Sequence, residues 1–220
     1  MSASVALLKC NARRPPSARV GALPGLFFFW LLVPAASHAH GSIQVMGAFS
    51  GGLIHPLITP AHLLILLGLG LWLGQQAPLR LRTPMLVFMP FSAAGLLVTT
   101  RLAMPQAWQP VLIGMALCIA LLVALSARLP DWMRAPMFAA TALALGLDSG
   151  VDAGPSSADI AIALLATWFS LNLCLVNFSY YVSLCPQRRW LQIGIRVAGS
   201  WIAAICLLVL AFALKGKSLA

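Results

Sequence analysis

Residues 160–184 of the chain read IAIALLATWFSLNLCLVNFSYYVSL, a run of 25 residues without a charged side chain. A helix needs about 20 mainly apolar residues to cross the hydrocarbon core of a bilayer. This run is therefore long enough for one complete crossing. The run at 191–214 is a second one of similar length, interrupted by a single arginine. The sequence predicts an integral membrane protein built on such helices.

Shorter apolar runs precede these two, at 60–73, 84–100, 111–127 and 135–147. The six runs together predict an all-α, polytopic membrane helix bundle of about six transmembrane helices. The composition agrees, because 61% of the 220 residues are hydrophobic and 8% are charged. Soluble domains have about half and about a quarter, respectively. A water-soluble globule is therefore excluded.

The chain is also basic, with fourteen Lys and Arg against four Asp and no Glu, a formal charge of +10. Nucleic-acid binding needs a continuous basic stripe. Here the apolar runs separate the cations, so the expected partner is the lipid bilayer and not a nucleic acid.

The N-terminal stretch has the order of a secretory signal: cations, an apolar run at 20–36, and the small-residue string PAASHAHG at 34–41. Cleavage after Ala39 would divide the chain into a signal peptide at 1–39 and a single membrane domain at 40–220. An uncleaved signal anchor is the alternative, because the run is almost long enough to span. Cleavage would lower the formal charge from +10 to +6 by removing Lys9, Arg13, Arg14 and Arg19.

The remaining cations predict a multi-pass protein of the inner (plasma) membrane with its mature N-terminus outside, since Lys and Arg concentrate in cytoplasmic loops. The inner loops would hold Arg80, Arg82, Arg128, Arg134, Arg188 and Arg189, against Arg101, Lys215 and Lys217 outside.

Arg196 lies about one turn into the last span and is expected to extend its side chain to the inner surface. A transport role for this arginine is the alternative.

Two residue types mark expected contacts of the helices. Gly70 and Gly74 form a G-x-x-x-G pair that permits close helix approach, either within one chain or between the chains of a homo-oligomer. Tryptophans near the run ends are typical of anchors at the membrane interface, and they are Trp72, Trp108, Trp132 and Trp190.

Ionisable side chains are concentrated at two places in the chain. All four histidines lie between residues 38 and 62, and three of the four carboxylates lie between 148 and 159. In the predicted topology both stretches face the outer side, so they would meet at one end of the bundle. Ionisable groups near membrane depth are functional candidates by default.

The first stretch contains GLIHPLITPAH at residues 52–62. Pro56 and Pro60 cannot both lie inside one continuous helix. We predict a break after His55 and a new helix with Thr59 as N-cap, which puts His62 in its first turn. Discontinuous helices line substrate sites in transporters, so the two histidines are candidate ligands of one ion. The alternative is a pair of interfacial histidines bonded to water or carbonyls.

The second stretch contains GLDSGVDAG, in which Asp148 and Asp152 are four residues apart and share one helix face if the preceding helix continues. They are candidate oxygen ligands for the same ion. The predicted metal site thus comprises His55, His62, Asp148 and Asp152. The alternative is a polar loop, with Asp159 at the start of the next span.

The segment HPLITPAHLLILLGLGLW at 55–72, after a signal ending in HAHG, resembles the HupE/UreJ family. These are small polytopic membrane proteins found with hydrogenase or urease systems and regarded as nickel permeases. The family pattern here is His-Pro, a short turn, Asp-His, Leu-Leu and a Gly-Leu-Trp run. Ala61 replaces the family's Asp, which removes one expected ligand. The matching residues are His55, Pro56, His62, Leu63, Leu64, Gly70, Leu71 and Trp72.

The family's second motif, His-Gly-x-Ala-His-Gly, corresponds here to residues 148–153. Asp148 and Asp152 keep the four-residue separation but replace imidazoles with carboxylates. A mixed nitrogen and oxygen site widens the choice of metal from nickel toward manganese or harder ions. The resemblance covers the span pattern of the whole mature chain, although only the first motif is specific.

The resemblance implies a secondary permease for a divalent transition metal, nickel or cobalt, that supplies metalloenzyme maturation. The metal is the substrate, and no organic cofactor is expected. A membrane metal-binding or assembly accessory protein without transport is the second hypothesis. The third is a membrane-embedded hydrolase with a zinc-activated water. That needs a third firm ligand and a general base, which a chain without Glu supplies poorly, so we expect no enzyme.

Overall fold

A computed structural model of the chain describes residues 47–76, 78–101, 108–150, 156–185 and 189–218. The expected signal peptide at 1–39 lies outside these residues. Within them all regular structure is helical, which confirms the all-α fold class. The helices are α1 (Gly47–Ile58), α2 (Pro60–Gly74), α3 (Arg82–Thr99), α4 (Gln109–Ala124), α5 (Asp131–Asp148), α6 (Ser157–Ser183) and α7 (Arg189–Ser218).

The helices differ in their capacity to cross a membrane. In the described part of the chain, α3, α6 and α7 are each long and apolar enough to do so. Helices α1 and α2 together form a fourth candidate span, bent by 68° between them. Helix α4 is apolar but only 16 residues long, and α5 includes three charged residues. The protein is thus a membrane protein, while the expected count of six spans is not confirmed.

Helix α2 occupies the centre of the bundle and packs against α4 and α6. Most of its length is buried, and the side chains of Ile65, Leu66 and Leu69 are fully enclosed. Around this centre, α3 packs on α5, α7 packs on α4, and α1 packs on α6. Hydrophobic residues of α6 and α7 remain exposed along much of their length, as lipid-facing helices require.

The G-x-x-x-G pair of α2 makes a contact within the chain. A Cβ atom added at Gly70 would collide with Phe178 of α6, and one added at Gly74 would collide with Val182. These glycines therefore allow the α2 backbone to lie directly against α6. The contact accounts for the motif without a second chain.

A second close approach joins α3 to α5. A Cβ atom on Gly146 would lie 2.5 Å from the carbonyl oxygen of Ser92 and 2.9 Å from the Cα atom of Gly95. A Cβ atom on Gly95 would in turn lie 2.6 Å from the carbonyl oxygen of Leu143. The two backbones are in contact, and no side chain larger than hydrogen fits between them.

The break in GLIHPLITPAH lies later than predicted. Helix α1 continues through Pro56 to Ile58, and the chain turns at Thr59, which has an extended backbone (φ −85°, ψ 108°) and precedes Pro60 at the start of α2. The helix tolerates Pro56 because its neighbours can replace the missing hydrogen bond. The expected break after His55 is therefore wrong, while the expected restart at Pro60 is observed.

Helix α6 supplies the replacement bond. Pro56 has no N–H for the carbonyl of Gly52, four residues earlier. The buried hydroxyl of Thr167 lies 3.1 Å from that carbonyl oxygen and 2.9 Å from the carbonyl oxygen of Ala163 in its own helix, so its one proton is shared between the two acceptors. The neighbouring hydroxyl of Ser170 donates to the carbonyl of Leu53 at 2.6 Å. Two hydroxyl groups thus attach the proline-containing helix to α6.

The C-terminal end of α4 is closed by side chains from other helices. Trp72 Nε1 donates to the carbonyl of Ala127 at 2.9 Å, and Gln75 Nε2 to that of Val123 at 3.2 Å. Arg196 Nε donates to the carbonyl of Ala124 at 2.9 Å. Trp72 is fully buried, so it is not the interfacial anchor that the sequence suggested. Arg196 closes a helix end, a role that neither interpretation of the sequence included.

We predict that Thr167→Val, which keeps the side-chain shape but removes the hydroxyl, lowers the thermal unfolding midpoint in detergent by about 2 to 4 °C. The reason is that the Gly52 carbonyl then has no donor. Thr99→Val is the matched control, because the Thr99 hydroxyl bonds only within its own helix, to Leu96 at 2.7 Å. Equal shifts for the two variants would contradict the role given to Thr167.

We also predict opposite effects for two Gly→Ala substitutions in helices. Gly146→Ala forces α3 and α5 apart and should lower the unfolding midpoint by several degrees. Gly114→Ala in α4 meets nothing within 4 Å and should raise stability by up to about 1 kcal/mol through helix propensity. Thermal unfolding of both variants in the same detergent tests this, and a stabilised Gly146→Ala would refute the close contact.

Candidate metal-binding site

Four helix ends meet at one point of the bundle. His55 lies in the last turn of α1, and His62 lies in the first turn of α2, as predicted. Asp148 is the final residue of α5, and Gln109 is the first residue of α4. The site is therefore built from the ends of four helices, two of which flank the break at Thr59. At helix ends, side chains from different helices can approach one another without a helix backbone between them.

The best-defined contact of the site joins α2 to α5. The Nε2 atom of His62 lies 3.0 Å from Oδ2 of Asp148. The imidazole is fully buried, and the carboxylate side chain is 11% exposed. Because a carboxylate can only accept a hydrogen bond, the proton of this bond is on Nε2 of His62. In neutral His62, Nδ1 then carries a free lone pair.

That lone pair faces no donor among the described residues. His62 Nδ1 and His55 Nε2 are both buried without a hydrogen-bond partner. The two rings are close, with centroids 5.4 Å apart and planes at 75°. Buried polar atoms without partners are rare in folded proteins. Two neighbouring imidazole rings, each with a nitrogen of this kind, are a feature that a ligand would satisfy.

Gln109 is the site residue that sequence reasoning missed. Its Nε2 donates to Oδ2 of Asp148 at 3.4 Å, so the carboxylate oxygen receives two bonds. A signal was present, because Gln109 directly precedes Pro110 and a Pro marks the first turn of a helix. With α2 and α4 side by side, that first turn lies beside His62. Gln109 is exposed, so the site is open on this side.

The site lies near the middle of α6 in depth. Gly70 faces Phe178 and Gly74 faces Val182, so α2 and α6 run parallel with a constant offset. The same offset brings His62 level with Ser170, the central residue of α6, about 20 Å from either end of that helix. The bond of Ser170 to the carbonyl of Leu53 puts α1 at the same level. The site thus lies at mid-depth of α6 and not at one end of the bundle.

Three of the four predicted ligands are close together. Asp148 contacts His62, His62 contacts His55, and Asp152 lies outside the described residues. Within the described ranges, no group of three His, Cys, Asp or Glu side chains already has the geometry of a metal site. Ala61, which replaces the Asp of the family motif, is buried. Its methyl group can supply no ligand.

Ser149, next to Asp148, bears on the hydrolase hypothesis. Its side chain is buried, and its hydroxyl donates to the carbonyl of Leu145 at 2.6 Å. The proton of this hydroxyl is therefore engaged with the backbone of α5. In the structure, Ser149 thus satisfies a backbone carbonyl at the C-terminal end of α5.

One of three comparisons with known proteins identifies a family for the chain. No curated protein and no solved structure shows significant similarity to the chain. A family model does match, the one described as HupE / UreJ protein, and it covers residues 28–209. This range includes the broken helix, both histidines and Asp148, and it is most of the chain. The protein therefore belongs to the HupE/UreJ family.

Proposed function

We propose that the protein is a secondary permease for a divalent transition metal, nickel or cobalt, and that His55 and His62 are the first ligands of the ion. One observation carries the proposal: the half-buried imidazole of His55 and the fully buried imidazole of His62 have centroids 5.4 Å apart, and each ring has a buried nitrogen without a hydrogen-bond partner. Two imidazoles sharing one ion at about 2.1 Å from each nitrogen have centroids about 5 Å apart. The rings already have the spacing that a shared ion requires.

In this proposal Asp148 orients His62 rather than binding the metal first. It accepts the Nε2 proton of His62 at 3.0 Å, so Nδ1 is left to bind the ion. Histidine ligands of metals commonly donate their other N–H to a carboxylate, which fixes the tautomer and raises the basicity of the ligand nitrogen. Gln109, bonded to the same oxygen, keeps the carboxylate in position.

Charge is the second requirement for a divalent ion at this depth. Burying two positive charges is costly unless negative groups or polar ligands surround them. Asp148 supplies one negative charge next to the histidines. Asp152, four residues later, is proposed as a carboxylate ligand of the ion. Together they would neutralise the bound ion, so that no net charge is buried.

A membrane potential can drive entry through such a site. Moving a divalent ion across it changes the free energy by about 4.6 kcal/mol per 100 mV. The break at Thr59 puts the site between α1 and α2, where a movement of either half-helix alters access on one side, as in transporters with discontinuous helices. Because the chain belongs to the HupE/UreJ family, we also propose that the transported metal is supplied to the maturation of metalloenzymes.

We predict that cells expressing the protein accumulate radiolabelled nickel or cobalt, and that His55→Ala and His62→Ala each abolish the gain because each removes a ligand. Asp159→Asn is the matched control. Asp159 lies in the first turn of α6, in the same part of the sequence as Asp148 but outside the contacts of the site. Uptake that survives His62→Ala in protein confirmed to be folded would refute the assignment.

The role of Asp148 has a separate test. If Asp148 orients His62, Asp148→Asn keeps an acceptor for Nε2 but loses the charge, and the metal concentration for half-maximal uptake should rise by about 10- to 100-fold. Asp148→Ala should have a larger effect, since nothing then fixes the tautomer. Complete loss of uptake with both variants would show instead that Asp148 is a direct ligand.

The second candidate function is metal binding without transport, as an accessory or assembly protein of the membrane. The same two imidazoles with unpartnered nitrogens would also serve a protein that holds the ion without carrying it across the membrane. Reconstituted proteoliposomes separate the two functions. Nickel bound by the purified protein but not carried into the vesicle lumen would select the accessory function, with the same histidines as ligands.

A further inference from the structure

A cavity of about 510 Å³ opens at the end of the bundle opposite the histidines. It lies where α2, α4 and α6 end and α7 begins. Three arginines line it, one from the α4–α5 connection and two from α7: Arg128, Arg189 and Arg196. Among the described residues that line this cavity there is no Asp or Glu. The cavity therefore carries a local excess of positive charge.

A neighbouring cavity carries a smaller excess of positive charge. It has a similar volume, about 480 Å³, and it also has three lining arginines, Arg80, Arg128 and Arg134. It contains Asp131 as well, whose carboxylate lies 3.4 Å from the guanidinium of Arg134. Part of the positive charge there is already paired.

Parts of the first cavity wall are held in place. Arg196 Nε is bonded to the carbonyl of Ala124 at 2.9 Å, which fixes its guanidinium to the end of α4 beside the cavity. Gln76 lies in the wall as well, and its Nε2 donor is buried without a hydrogen-bond partner. An unpartnered donor beside three guanidinium groups is complementary to an anion with several acceptor oxygens.

The rest of the wall is apolar. Val182, Leu191, Ile193 and Ile195 line the same cavity. A cavity with guanidinium groups on one part of its wall and aliphatic side chains on another matches a phosphate group attached to hydrocarbon chains. Basic pockets between membrane helices bind lipid headgroups for this reason.

We propose that this cavity is a binding site for a phosphate group, with Arg128, Arg189 and Arg196 as its charged contacts and Gln76 as a neutral donor. The phosphate has two possible sources: the headgroup of an anionic phospholipid, or free inorganic phosphate. The aliphatic part of the wall favours the lipid. The site is independent of the proposed metal transport, because it shares no residue with the histidine site.

The test measures lipid binding to the purified full-length chain in detergent by native mass spectrometry. Phosphatidylglycerol, phosphatidylcholine and inorganic phosphate are titrated separately. We expect phosphatidylglycerol to bind more tightly than phosphatidylcholine. Arg128→Gln and Arg189→Gln should each weaken its binding by about fivefold, the effect of one charge near a membrane surface. Arg196 is left unchanged in these variants because it also closes the end of α4.

Arg82→Gln is the matched control, since Arg82 lies at the same end of the bundle, at the start of α3, and does not line the cavity. Thermal unfolding in the same detergent confirms that each variant is folded. Weakening by Arg82→Gln equal to that by Arg128→Gln would overturn the proposal, and so would equal binding of the two lipids together with no binding of phosphate. Tight binding of inorganic phosphate, lost in Arg128→Gln, would support the phosphate site and identify the free anion as its source.

Discussion

The structure depends on one constraint, that a backbone carbonyl or N–H away from water must have a hydrogen-bond partner. Two prolines four residues apart would ordinarily end a membrane helix. Here the chain continues past Pro56 because Thr167 donates to the carbonyl that Pro56 leaves free. The bend at Thr59 follows, and with it the position of His55 on one side and His62 on the other. The hydroxyl that α6 supplies at that level stabilises this arrangement of α1.

Much of this architecture could be predicted from the sequence, and the part that could not has a physical reason. The apolar runs predicted where the helices lie, because the length of such a run is read directly from neighbouring residues in the sequence. The pairing of His62 with Asp148 was also within reach, since ionisable groups at membrane depth seek one another. The exact break was not, because whether a helix survives Pro56 is decided by Thr167, more than a hundred residues away. Trp72 was misjudged, and the bond of Arg196 to α4 was missed, for the same reason, because their partners are carbonyls of other segments of the chain.

The structure shows what surrounds the residues at which this chain departs from the family motifs. Ala61 is buried within the first turn of α2, so the lost carboxylate is not replaced by a neighbour at that position. Asp148 brings a carboxylate to His62 from α5 instead. One acidic group next to the second histidine is thus retained although its place in the chain has changed.

The contact between Gly95 and Gly146 has a mechanical consequence. Helices α3 and α5 touch through their backbones there, only two residues before Asp148. They must therefore translate as one rigid body, because neither can slide past the other without a carbonyl meeting a Cα atom. A movement of α5 that takes the carboxylate away from His62 therefore carries α3 with it. Opening the site in this way displaces a helix pair against the central helix, so the whole interface of that pair contributes to the energetic barrier.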